Sequence, residues 1–148
     1  MRKLLKNLRF VIIAVVAFTG VASPLLAETW ECVVDKAKRQ DRLPSSVTIQ
    51  VNAETGEILE MDDLSKSWGR PVVVGRMITD NAKRQTIGWS VEGVDRRFES
   101  GPNFRVSEVS FKATINKSEQ KLKIMSRPRT GGDYAKFEQI SKGSCRKK

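Results

Sequence analysis

Cys32 and Cys145 are the only thiols among 148 residues, and histidine is absent altogether. The lack of imidazole removes both the commonest metal ligand and the commonest general base. Two lone cysteines read more readily as a disulfide than as a metal pair, and the chain has no Cys-x-x-Cys spacing to suggest redox chemistry. The nearest approaches to paired carboxylates are Asp62-Asp63 and Glu28 with Glu31. On a strand, neighbours such as Asp62 and Asp63 point to opposite faces, which suits solvated turn acids better than an acid–base pair. A serine nucleophile would have to rely on lysine as its base, and spacing alone cannot show that. The residues therefore lead us to expect a binding protein rather than an enzyme, with no metal and no cofactor.

Two sets of side chains could carry binding. Trp30, Trp68 and Trp89 could line a ligand pocket, although such residues more often fill a core. The basic residues gather in turns and at the C-terminus, with Arg96/Arg97 and Arg127/Arg129 as the clearest candidate anion-binding pairs. Lys36/Lys38/Arg39/Arg42, Lys83/Arg84 and Lys142/Arg146/Lys147/Lys148 complete the set, and for any single group surface solubility is the plainer reading. Nucleic acid is not an expected partner, because aromatic side chains do not interleave with the charge.

The first 27 residues place these groups in a compartment. Arg2, Lys3, Lys6 and Arg9 precede an apolar run from Phe10 through Val21, the order of a secretory signal helix. That run is too short to span a bilayer, which takes roughly 20 apolar residues. Cleavage is expected after Ala27, with Ala22 the second choice, and Glu28 stands where a lipoprotein would need its cysteine. Removing 27 residues leaves 121, enough for one domain over 28–148 and too few for two. The leader holds four of the 27 basic residues and none of the 17 acids, so the mature chain carries a net charge of +6. Periplasmic localisation is the expected outcome.

The mature segment reads as strands joined by turns, with no helical period after the leader. Val47, Ile49 and Val51 alternate with Thr48 and Gln50, and Asn52 to Gly56 supplies a reversal into 57–63. Leu64 to Arg70, around Trp68, reads as a connection. Strands follow over 71–79, 86–91 and 108–115, and then over 121–126, where Leu122 and Ile124 face inward and Lys121 and Lys123 outward. Arg127 to Asp133 reads as a turn and Tyr134 to Ile140 as the last strand. About eight antiparallel strands in sequence favour an all-β meander closed into a barrel, with a β-sandwich as runner-up. A Cys32–Cys145 bond would tie the first strand to the last and so favours closure.

Several motifs carry a resemblance: the early Trp30-Glu31-Cys32, the hairpin Val47-Thr48-Ile49-Gln50-Val51 with Thr55-Gly56, Thr86-Ile87-Gly88-Trp89, Ala113-Thr114-Ile115 and the terminal Gly143-Ser144-Cys145. On these the mature chain resembles an uncharacterised group of small, single-disulfide periplasmic proteins of Gram-negative bacteria with a lipocalin-like β-barrel. It is more distantly similar to the periplasmic inhibitors of c-type lysozyme. That second likeness implies inhibition of a lysozyme or another hydrolase, but no segment here matches the inhibitors' serine-rich loop. A small hydrolase is the other alternative. A mature chain at +6 would be repelled by a strongly basic lysozyme, so charge favours anionic lipid, lipopolysaccharide or an acidic protein as partner of a monomeric or weakly associating barrel.

Export and oxidation are checked together by intact mass. The protein recovered from the periplasm is expected to lack residues 1–27 and to gain two protons on reduction; a mass unchanged by reductant would exclude the bond.

Overall fold

The computed structural model describes residues 28–35, 42–96, 106–130, 133–134 and 138–148. The expected leader helix lies outside them. The chain forms β1 (Glu28–Val34), β2 (Ser46–Val51), β3 (Ile58–Asp62), α1 (Asp63–Ser67), β4 (Val73–Asp80), β5 (Arg84–Arg96), β6 (Val106–Asn116), β7 (Lys121–Thr130), β8 (Asp133–Tyr134) and β9 (Gln139–Lys147). Every pairing is antiparallel. Neighbours follow chain order from β1 to β7, β9 pairs with both β7 and β1, and the two-residue β8 extends the outer edge of β7. The result is an all-β barrel closed by eight strands.

Alternation in the sequence sets the inside and the outside. Buried and exposed residues alternate along β6 and β9, and Trp30, Ile49, Trp89, Phe111, Ile115 and Ile124 fill the interior. Tight turns at one end are fixed by asparagines: Asn52 Oδ1 accepts from the N–H groups of Glu54 and Thr55, Asn81 from Lys83 and Arg84, and Asn116 from Ser118 and Glu119. We call this the turn end. At the other, loop end lie the longer connections after β1, β3, β5 and β7.

Closure rests on β1 and β9. Cys32 and Cys145 are direct partners in the register and are disulfide-bonded, enclosing a sequence separation of 113 residues. A loop of that length restricts the unfolded chain by roughly 4–5 kcal/mol in the entropic treatment. Two rungs earlier on β9, Gly143 stands opposite Val34, and a Cβ there would lie 2.1 Å from the Val33 carbonyl oxygen. Only glycine allows the strands to approach that closely.

Three local features differ from the sequence expectation. A short helix stands where a connection is expected after β3: Asp62 caps it by accepting from the Ser65 N–H at 2.6 Å and the Ser65 hydroxyl at 2.6 Å. One turn is too short to leave a periodic signature. β7 continues through Arg127-Pro128-Arg129, where a turn is expected, because Pro128 lies between the segments of β7 that pair with β9 and with β8. Its missing N–H therefore costs no ladder bond on that edge. The last strand is β9, which begins at Gln139 and runs through Cys145, later than the expected 134–140.

Gly143→Ala is expected to destabilise the oxidised protein by about 2–3 kcal/mol, the cost of forcing strands apart in a packed seam. Urea denaturation with the disulfide intact measures it, and an unchanged midpoint would show that the β1–β9 approach is looser than described.

Candidate functional site

Inside the barrel, hydrophobic packing coexists with polar groups that find no partner. Trp30 Nε1, Trp89 Nε1, Gln85 Oε1, Ser126 Oγ and both carboxyl oxygens of Glu60 are buried without a hydrogen bond among the described residues. Glu60 shares a rung with Trp30, Ile49 and Val73, and Asp62 follows it on the same face of β3. Burial above all, then the neighbouring Asp62 carboxylate, pushes Glu60 up to about 10. Protonated, Glu60 can donate to the Asp62 carboxylate, which favours the acid form further. At neutral pH Glu60 is therefore an uncharged acid within the core.

The three tryptophans do not form one cluster. Trp89 stacks on Phe111 with ring centroids 5.2 Å apart, and Trp68, carried at the end of α1, reaches within 6.4 Å of the same ring from the loop end. Trp30 lies apart, with Lys147 Nζ 5.9 Å from its ring centroid. Phe111 is the member that sequence reasoning missed, although its place among Val109, Ala113 and Ile115 marked it as inward-facing. α1 is tied down by Asp63. Burial would raise this carboxyl's pKa, but the Ser45 hydroxyl and the N–H groups of Ser46 and Ser45 outweigh burial and hold it below the ordinary aspartate range.

The candidate arginines are placed unevenly. Arg127 is ion-paired with Glu138, and Arg129 with Glu108 at 3.1 Å. Arg96 ends β5 at the loop end, the same end as the last residues of β7. Arg97 and the Arg96 side chain lie outside the described residues.

A different set of cations stands together on the outer face. The turn-end half of β6, β7 and β9, with the β4–β5 turn beside it, frames a hollow of about 660 Å³. Lys83, Arg84, Lys121, Lys123 and Lys142 border it, against two carboxylates among the described residues, Asp35 and Glu119. Lys121 reaches Glu119 at 3.2 Å, whereas Lys83, Arg84, Lys123 and Lys142 form no ion pair among the described residues. Lys123 and Lys142 are direct cross-strand partners, and Thr114 faces Lys123 from the other side. Like charges directly opposite one another on a sheet disfavour it by roughly 0.2–1 kcal/mol. Lys123 was legible as outward-facing, but nothing short of the β7–β9 register would have shown what it faces.

Among the described residues no three cysteine, aspartate or glutamate side chains group as metal ligands would. No family model, no curated protein and no solved structure matches the chain.

Glu60 gives the barrel a distinctive pH response. Its folded pKa lies above the unfolded value of 4.5, so the stability it contributes is complete below pH 4.5 and is lost as pH rises toward about 10. Glu60→Gln removes this loss. Relative to the variant, the wild type is expected to lose on the order of 3 kcal/mol between pH 4.5 and 7, at about 1.4 kcal/mol per pH unit. Parallel denaturation curves for the two proteins across that range would refute the burial of a neutral acid.

Proposed function

We propose that this protein is an exported, non-catalytic binding protein of the periplasm that engages phosphate-bearing anionic surfaces through the hollow on the outer face of β6, β7 and β9. The observation that carries this reading is Lys123 held directly opposite Lys142, neither of them ion-paired among the described residues. Such a pair disfavours the free protein and becomes favourable once an anion lies between the ammonium groups. The neighbouring Lys83, Arg84 and Lys121 extend the positive field, and the hydroxyls of Thr114 and Ser144 offer donors to phosphate oxygens. The mature charge of +6 adds long-range attraction to lipid phosphates or lipopolysaccharide. The disulfide is compatible with export.

Arg127 and Arg129 contribute less in this reading than their sequence position suggests, because Glu138 and Glu108 already answer their charge. Inhibition of a basic lysozyme is not favoured, since the same cationic face repels it.

Co-sedimentation with anionic vesicles at low salt is expected to pull down the wild type, with neutral vesicles leaving it in solution. Binding should fall steeply once ionic strength shortens the Debye length to about 8 Å. Changing Lys123 and Lys142 together to Ser is expected to weaken it at least tenfold, whereas changing Arg127 and Arg129 to Ser should alter it no more than about threefold, the scale of an exposed ion pair. Equal binding to neutral and anionic vesicles, or a full effect from the arginine variant alone, would overturn the assignment.

A further inference from the structure

A second depression adjoins the first, and its composition differs. It occupies about 570 Å³ over the outer face of β4, β5 and β6 and is floored by Gly88. Gly88 pairs with Arg76 on one side and Lys112 on the other. Two cations therefore flank a position without a side chain, roughly 10 Å apart at the backbone from two strand spacings. Neither Arg76 nor Lys112 forms an ion pair among the described residues, whereas Arg127, also at the border, is held by Glu138.

Beside the cations the surface is apolar. Val74 is 67% exposed and Ile78 45% exposed, both on the outward face of β4, and Met125 lies across the notch on β7. The register shift between Met77 and Thr79 brings Ile78 over the glycine, so that a Cβ on Gly88 would meet Ile78 Cδ1 at 3.0 Å. Val74 and Ile78 stand on either side of Arg76 over about 13 Å of strand, so apolar surface surrounds the cationic rung. Ser90 and Ser110, hydrogen-bonded to one another at 2.9 Å, continue the outer face on the loop-end side of Gly88.

We propose that this notch binds a free medium-chain carboxylate, with the anionic head held by Arg76 and Lys112 and the acyl tail against the apolar side chains around them, Val74, Ile78 and Met125. Two unpaired cations complement one carboxylate, and the planar guanidinium of Arg76 matches its two oxygens. A flat membrane does not fit the same role. Val74 on β4 and Lys142 on β9 are four strands apart around a ring of eight, on opposite sides of the barrel. The two depressions adjoin on β6 and β7, where Lys112 and Met125 lie one outward rung from Thr114 and Lys123, but Arg76, Ile78 and Val74 border the notch alone, and its assignment rests on them rather than on that hollow's function.

Isothermal titration of the oxidised mature protein with dodecanoate, below its micelle concentration and at low salt, tests the proposal. One site is expected, with octanoate binding at least tenfold more weakly and acetate not competing, because each methylene removed from contact gives up a share of about 0.8 kcal/mol. Replacing Arg76 and Lys112 together by Gln should weaken dodecanoate at least tenfold, and Gly88→Leu should abolish binding by filling the floor. Val74→Ser, at a solvent-facing position, should weaken it severalfold and serves where Gly88→Leu does not fold. The Lys123/Lys142 double variant should bind dodecanoate as the wild type does. Absence of dodecanoate binding would overturn the proposal, as would affinity kept within twofold in both the Arg76/Lys112 variant and Val74→Ser.

Discussion

The pairing of β1 with β9 is the constraint on which the remainder of the molecule depends. Without it the sheet would have two open edges and the interior rungs would face water at one side. Two independent features hold the seam: the Cys32–Cys145 bond and the glycine at position 143, whose missing side chain lets the backbone of β9 lie against Val33. The outermost residues add ion pairs, Arg146 with Glu31 at 2.9 Å and Lys147 with Glu28 at 3.0 Å. Glu31 is held below the ordinary glutamate range by Lys148 and then Arg146. These exposed pairs set the register of the chain ends more than they stabilise the fold.

Closure also decides where charge lies. β9 reaches β1 only by running along β7, and that path places Lys142 opposite Lys123. The same ring separates two kinds of electrostatic problem. Inside, Glu60 avoids the cost of a buried charge by remaining protonated. Outside, most acids near the chain ends and the loop end are matched with cations, as Glu108 and Glu138 are with arginines. What is left over is a pair of depressions bordered by cations that form no ion pair among the described residues, one polar at Lys123 and Lys142, the other apolar at Arg76 and Lys112. The difference between them lies in their neighbours: Thr114 and Ser144 in the first, Val74 and Ile78 in the second.

Much of this fold could be read from the chain because its signals are local. The period-two runs at Val47 to Val51 and Val109 to Ile115 and the asparagine-bearing turns each carry their meaning within a few residues. The single pair of cysteines left one bond to draw. What escaped depends on register or on very short elements. α1 is a single capped turn, and Pro128 lies where the partner of β7 changes from β9 to β8. The candidate arginines were chosen for their place in expected loops, yet Arg127 and Arg129 lie on a strand with carboxylates from Glu138 and β6 within reach. Lys123 and Lys142 are 19 positions apart in sequence, and only the β7–β9 alignment makes them neighbours.

The account stands most directly on where an anion settles. Titrating the isotope-labelled, oxidised protein with inorganic phosphate at low salt, and following backbone amide shifts, locates it without any variant. The account predicts saturable shifts at Thr114, Lys123, Lys142 and Ser144, with Arg127 and Arg129 little changed. Saturable shifts centred on Arg127 and Arg129, or small unsaturated shifts spread evenly over all the cations, would contradict it.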